Sequence, residues 1–370
     1  MIDFLIIGQG LAGTLLTDSL IKQNKSVKVI DAIQYNHPFP KTNNFTIINQ
    51  PQHPFNAATY SSTGIINPIT GRRFVKSWLL EDLLPIAINT YQNFEVQLNQ
   101  SFIKQIKIFR TIPDQKAAND LALRINDPDY QPYFETENKI EPDANIFNIT
   151  KQGLTIKNAL LINVSFLVRC FREYLIKKNC FVNEDVPINE IRLNDDHTFT
   201  LNNIHYKQLI FCEGYRISQN PFFKNIPLTI NNGQIIIIKA EQINIDYLFK
   251  SGVFIIPLGD HLFKIATTWD WDLKQPQTTE AAITYFKKQL DSLLKVPYEI
   301  VAHQAAIRPT VKDRRPLLGQ HPIYKNMFVF NGLGAKGASL GPYFTKQLLG
   351  YILKNKPLLK EVDLNRFYKT

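Results

Sequence analysis

Near the amino terminus, Gly8-Gln9-Gly10-Leu11-Ala12-Gly13 forms a GxGxxG turn between an apolar run, Asp3 to Ile7, and leucines that recur at helical spacing. Such a turn suits one kind of chemistry. Gly8 makes the tight bend, Gly10 lets the backbone approach a pyrophosphate, and Gly13 lets the helix pack close to the sheet. The helix opening at Leu11 and Ala12 aims unpaired N–H groups and its positive dipole end at the phosphates. Asp31 closes the next strand, about 20 residues further on, where a carboxylate accepts hydrogen bonds from a ribose diol. Strand, turn, helix, strand and acid in register read as a dinucleotide site rather than a plain turn.

Gly332-Leu333-Gly334-Ala335-Lys336-Gly337 is a second literal match, between the strand Met327 to Phe330 and a helix through Thr345, Leu348, Leu349 and Ile352. Read alone, it could hold a nicotinamide cofactor. The sequence stops at Thr370, too soon for a second mononucleotide-binding half with its own acidic strand end. The better reading is a loop of backbone amides aimed at another part of the first cofactor. Such a loop favours negative charge, as develops on a reduced flavin ring. An unliganded turn before a helix is the plain alternative.

The elements that position these motifs alternate along 370 residues, enough for two domains. Asp3–Ile7, the helix from Leu11 and Val27–Asp31 form a βαβ opening, which needs a parallel sheet. Residues 37–67, rich in Pro, Asn, Ser and Thr, read as a long functional loop, and Trp78–Leu98 as a helix. Parallel character returns near Leu161, with Ser165 expected to cap a helix through Phe166, Phe171 and Leu175, then strands at Phe181–Val186 and Gln208–Cys212. Gln234–Lys239, Val253–Pro257 and Leu262–Thr268 read as antiparallel strands, with Gly259-Asp260 turning between the last two. A helix over Ile283 to Leu294 follows. The expected fold is α/β: a discontinuous Rossmann-like domain from 1–76, 151–226 and 303–370, and a mostly antiparallel β substrate domain with helices from 77–150 and 227–302.

Composition narrows the classes. Hydrophobic residues at 44% and charged residues at 20% exclude disorder, coiled coil and collagen. No apolar run is long enough to span a bilayer, since even Ile235–Ile238 stops at Lys239. Met1–Ile7 reads as a first strand rather than a signal peptide. Cys170, Cys180 and Cys212 form no CxxC, which fits a reduced, cytoplasmic chain, and the histidines show no zinc-ligand spacing, so no metal is expected. The net charge of +10 admits nucleic acid, an anionic surface or an acidic substrate, but no basic block appears and lysines scattered over solvated faces are the simpler reading.

Together these residues resemble the D-amino acid oxidase-like family of FAD-dependent oxidoreductases, which includes glycine oxidase and monomeric sarcosine oxidase. The resemblance rests on the first glycine motif with Asp31, Ser61-Ser62-Thr63-Gly64-Ile65-Ile66-Asn67-Pro68, Phe211-Cys212-Glu213-Gly214 and Asn232-Gly233-Gln234. It continues through Ile265-Ala266-Thr267-Thr268, Ile307-Arg308-Pro309-Thr310 with Asp313, Pro316 and Gly319, and the closing Gly332–Pro342 loop.

The resemblance implies that Gly8, Gly10, Leu11, Ala12, Gly13 and Asp31 hold the ADP half of FAD, with Val186 meeting the adenine through its backbone and Gly214 at a strand end. It places Thr63, Gly64 and Ile65 along the isoalloxazine, and Gly332, Gly334, Ala335, Lys336 and Gly337 in the loop at its pyrimidine edge. Covalent-flavin relatives carry a cysteine shortly after the arginine motif. All three cysteines here lie elsewhere, so noncovalent FAD is expected. Arg308 matches the arginine that pairs two-pronged with a substrate carboxylate, a task suited to its planar, permanently charged fork. Lys264 matches a lysine near flavin N5 that assists oxygen reduction, against the alternative of an exposed lysine on a half-solvated strand. Phe254 stands where a tyrosine is frequent, Leu258 where a basic residue is, and Glu213 where a small residue is. Trp269 and Trp271 could wall the pocket or belong to the core, and Arg72-Arg73 reads as a solvated pair.

The function implied is oxidation of the C–N bond of a small amino acid or secondary amine by hydride transfer to flavin, with hydrolysis of the imine. Oxygen or another acceptor would reoxidise the flavin. Two alternatives stand beside it: a flavin domain acting on an amine-bearing modified tRNA nucleoside, which the positive charge fits, and a noncatalytic flavin-binding module.

Overall fold

The computed structural model describes residues 1–32, 58–137, 139–149 and 151–368. Most of the long loop expected at 37–67 therefore lies outside the described residues. The fold is mixed α/β and is organised by two large sheets.

The first sheet is built around parallel strands. β1 (Ile2–Ile7) lies between β2 (Val27–Ile30) and a strand at Ile204–Phe211, and Met327–Asn331 continues the parallel set. Phe181–Val182 extends it beyond β2. β1 is almost wholly buried, as an apolar run at the centre of a parallel sheet must be. One face of the sheet is covered by α1 (Leu11–Ile21), α2 (Leu80–Leu98), a helix at Val164–Lys177 and one at Gly337–Lys354, whose apolar side chains form one core with Phe4, Ile6 and Ile210.

The second sheet is mostly antiparallel. With the first-sheet strand Ile204–Phe211 numbered β5, its central strands are β3 (Ile103–Thr111), β4 (Gly153–Ile162), β6 (Leu228–Lys239), β7 (Leu248–Ser251), β8 (Val253–Gly259), β9 (Leu262–Ala266) and β10 (Glu299–Val311). The order runs β10-β6-β9-β8-β7-β3-β4, and only β7 and β3 run parallel. The helix Glu280–Leu293 covers one face. The other face turns toward Ile69, Phe74 and Leu80 at one end and toward the cavity described below at the other.

Several expectations change. Helix 164–177 is capped by Asn163, whose Oδ1 accepts from the Phe166 amide at 3.3 Å, and Ser165 lies inside the first turn. Val186 follows the short strand at 181–182 instead of extending it. β9 ends at Ala266, so Thr267 and Thr268 lie beyond the strand expected over 262–268. β3 and β4 were not anticipated. The second sheet also takes in residues 153–162 and 299–311, so the sheets divide the chain differently from boundaries at 151 and 303.

Candidate active site

An open cleft, about 1560 Å³ with the solvent at its mouth included, lies where the carboxyl ends of the parallel strands meet the start of α1, β10 and the loop at 332–337. Ligand crevices form at such strand ends because the chain reverses there and leaves backbone amides free.

One end is shaped by the first glycine motif. Gly8, Gly10, Leu11, Ala12 and Asp31 line it. Gly13 does not; a Cβ there would stand 2.0 Å from the Gly8 carbonyl oxygen, so this glycine allows the helix to press against the turn. Gly10 caps α1 without a side-chain hydrogen bond, although Thr59 Oγ1 accepts from the Leu11 amide at 3.2 Å. Asp31 is held rather than exposed. Its Oδ2 accepts from the Gln9 amide and from Arg172 Nη2, both at 2.8 Å. The Gln9 side chain donates to Thr14 Oγ1 and the Val168 carbonyl and accepts from Arg172 Nε. Arg172 is buried and lies against the Phe181 ring. Sequence reasoning missed this bracing arginine, because an arginine on an amphipathic helix carries no sign of what it meets.

Val186, Glu213 and Gly214 lie along the same wall. Burial pushes the Glu213 carboxyl up to about 7, against the lowering effect of the hydrogen bond from Asn220 Nδ2 at 2.7 Å. The Gly214 carbonyl accepts from Asn331 Nδ2 at 2.8 Å, which ties the two strand ends together.

At the far end, Leu333, Gly334, Ala335 and Gly337 line the cavity, and the Gly334 amide donates to the Pro309 carbonyl at 3.2 Å. Gly332 and Lys336 do not line it. Helix 337–354 starts there without a side-chain cap. Of the serine-rich segment, Ser61, Ser62 and Thr63 line the cavity, whereas Gly64 and Ile65 do not. Gly64 packs on the Ile162 carbonyl, and Ile65 pairs with β4.

Arg308 projects from β10 into the cavity wall. Its Nη1 donates to Asn231 Oδ1, and its Nη2 to Thr267 Oγ1 and to the Thr268 carbonyl. The guanidinium carbon lies 4.3 Å from the centre of the Trp269 ring. Burial lowers Arg308 to about 10, which leaves it charged at neutral pH. No ion pair joins it to an Asp or Glu among the described residues. Trp269 and Trp271 are stacked and substantially exposed, so they are not core, and Trp269 covers the arginine. Asn231 is fully buried and also donates to the Asp270 carbonyl, fastening the tryptophan segment to β6.

Lys264 does not line the cavity but reaches its wall, where Nζ donates to the Ser62 carbonyl at 2.8 Å. Burial pushes this amine down to about 8. It is half-buried rather than an open surface lysine. Arg72 pairs with Asp114 at the surface, as a solvated residue would. Leu258 is buried.

The residues present fit FAD. The two uncapped helix starts, the glycine turn that lets α1 approach, and a ribose-side carboxylate braced by Arg172 suit its pyrophosphate and ADP half. The comparisons agree. A family model described as FAD dependent oxidoreductase (DAO) matches residues 3–349, and the chain belongs to that family. Among solved structures, iminodiacetate oxidase from Chelativorans sp. BNC1 is similar with a TM-score of 0.74 at 18% identity, over 98% of both chains. Glycine oxidase from Geobacillus kaustophilus gives 0.74 at 16% identity, over 100% of this chain and 98% of that one. L-proline dehydrogenase from P. horikoshii gives 0.70 at 12%, over 99% and 96%. At these identities the likeness establishes the fold. No described helix is long and apolar enough to cross a membrane.

Proposed function

We propose that this chain oxidises the C–N bond of an amine that carries a carboxylate, an amino acid or a secondary amine, with noncovalently bound FAD. The observation that carries the reading is Arg308, a cation in the cavity wall held by Asn231, Thr267, Thr268 and Trp269 but by no carboxylate among the described residues. A substrate carboxylate supplies the missing charge. These three hydrogen bonds hold the guanidinium in place before substrate arrives, so binding it costs little reorganisation. Several similar structures bear names of enzymes that act on such compounds, among them glycine and iminodiacetate oxidases.

Bound FAD would supply the two-electron acceptor that takes a hydride from the carbon bearing nitrogen. The protein's own part is orientation. Arg308 fixes one end of the substrate, and Trp269 shields that ion pair from water, which strengthens it. Lys264 holds a positive charge behind Ser62, where it would favour negative charge developing when the reduced cofactor passes electrons to oxygen or another acceptor. Cys212 lines the nucleotide end, and Cys170 and Cys180 lie outside the cavity, so none is placed near Arg308 to tether a flavin.

The test is anaerobic reduction of the yellow protein by a panel of amino and N-alkylamino acids, with hydroxy acids as controls, in wild type and Arg308→Ala. The variant is expected to keep its FAD and lose affinity for every carboxylate substrate, with KM up by about 100-fold or more. Unchanged KM would refute the anchor. FAD that stays with acid-precipitated protein would refute the noncovalent assignment.

A further inference from the structure

Arg110 and Lys250 stand side by side on neighbouring strands of the second sheet, where β3 and β7 run parallel and the two residues are partners. Lys250 is opposite Phe254 on β8, Phe254 is opposite Ala266 on β9, and Ala266 is opposite Ile235 on β6. Cross-strand partners share a face, as do residues two apart on one strand. Arg110 and Lys250 therefore lie on the face that also carries Lys264, Gly233 and Arg308.

Both cations are half-buried. Arg110 Nη2 donates to the Gly71 carbonyl at 2.7 Å, and its guanidinium carbon lies 4.1 Å from the centre of the Phe74 ring. Lys250 Nζ donates to the Gly252 carbonyl at 2.8 Å and lies 4.4 Å over the Phe254 ring. None of these partners is charged. Neither cation forms an ion pair among the described residues, and the residues outside that range contain no Asp or Glu side chain. Burial lowers Arg110 to about 10, and burial with the adjacent guanidinium lowers Lys250 to about 8. Two like charges desolvated together are costly unless an anion joins them.

We infer that Arg110 and Lys250 form a second anion subsite on the substrate-facing sheet, which takes a distal carboxylate or phosphate of the amine whose first carboxylate meets Arg308. The inference rests on the Arg308 reading above and adds the substrate class. Lys250 covers Phe254 and Arg308 covers Gly233 on β6, and the intervening strand spacings separate them by roughly 10 Å or a little more. A compact amino acid cannot span that gap. An elongated amine with an acidic group at each end can, with the partly exposed Phe254 ring on the intervening strand beside the chain that joins those ends.

The test uses FAD-loaded protein and α,ω-dicarboxylates from succinate to sebacate, each beside the monocarboxylate of equal carbon number, followed through the flavin absorbance. A parallel series with a terminal phosphonate separates the two kinds of distal anion. Short dicarboxylates are expected to bind like monocarboxylates. Long ones should bind about tenfold tighter or more, the worth of a charge-assisted hydrogen bond. Lys250→Met and Arg110→Met should each erase that gain while leaving FAD content and monocarboxylate affinity unchanged, and Lys250→Arg should keep it. No gain at any length, or a gain that survives both Met variants, overturns the subsite. Monocarboxylate affinity indifferent to Arg308→Ala refutes the first anchor separately, and a Lys250-dependent gain would then still uphold the second.

Discussion

Gly233→Ala tests the arginine anchor without touching the arginine. A Cβ at Gly233 would stand 1.9 Å from Arg308 Nη2, 2.1 Å from Cζ and 2.3 Å from Nη1. No real methyl group fits at those distances, and the obstructing atoms are the far end of a flexible side chain. The guanidinium must swing away, leaving Asn231 Oδ1, Thr267 Oγ1 and its place over the Trp269 ring. A substrate carboxylate then loses charge-assisted hydrogen bonds of about 1.5–3 kcal/mol each, of which some return as the arginine finds a second position. A net loss near 3 kcal/mol corresponds to a KM raised on the order of 100-fold. Steady-state kinetics on the best carboxylate amine, with FAD content and melting temperature as controls, read this directly. Both controls should stay close to wild type, because the displaced group is not part of the core. In the Arg308→Ala background the same substitution should add almost nothing, since the partner it displaces is already gone. A single variant whose KM stays within about threefold of wild type would refute the reasoning.

Two further predictions concern pH. Lys264 carries its charge below about 8 and loses it above, so if its ammonium promotes reoxidation, that half-reaction should slow as pH rises through 8. Lys264→Met should be slow throughout, and a wild-type profile flat from pH 7 to pH 9 on stopped-flow reoxidation would contradict the role. Glu213 works in the opposite sense. Its folded-state carboxyl is raised from 4.5 to about 7, so the folded state is penalised progressively as pH rises from 4.5 to 7 and fully above that. Glu213→Gln should therefore melt higher than wild type at pH 8 and like wild type at pH 4. It should also bind FAD more tightly at pH 8, where the wild-type carboxylate shares a cavity with the pyrophosphate; an equal melting temperature at pH 8 would show that the carboxyl is not desolvated.

What could be read from the sequence was local. The first glycine turn, its helix and Asp31 sit within a single βαβ unit, so spacing alone carried them. Asn163 was missed as a cap because Ser165 has the same chemistry two positions on, and only the backbone decides which hydroxyl or amide precedes the first turn. β4 escaped notice since Asn158 adopts a left-handed conformation within it, φ +58°, which breaks the alternation a strand should show. β10 is a single strand that supplies sheet hydrogen bonds along one stretch and a cavity wall along another, so no change in composition marks a boundary near 303. Arg308 stood out by type, but its positioning residue Asn231 is 77 positions away, a pairing that exists only once β6 and β10 are side by side.

The net charge of +10 also takes a different meaning in three dimensions. Scattered lysines account for part of it, as the exposed ion pairs Lys207–Asp3 and Lys239–Glu241 show. Arg110, Lys250, Lys264 and Arg308 are different, because all four occupy one face of the second sheet, all four are shifted downward by burial, and none forms an ion pair among the described residues. A fold selected for stability alone would have little use for them. Half-buried cations are costly to desolvate, and apolar side chains of similar size would pack the same face at lower cost. Their retention on the face of the sheet whose one end, at Arg308, borders the cavity is accounted for if the occupants are anionic: the cofactor when it accumulates charge on reduction, and a substrate bearing acidic groups. The same surface would repel a cationic amine lacking a carboxylate, so on the proposed reading the cations would discriminate against simple amines as well as bind amino acids.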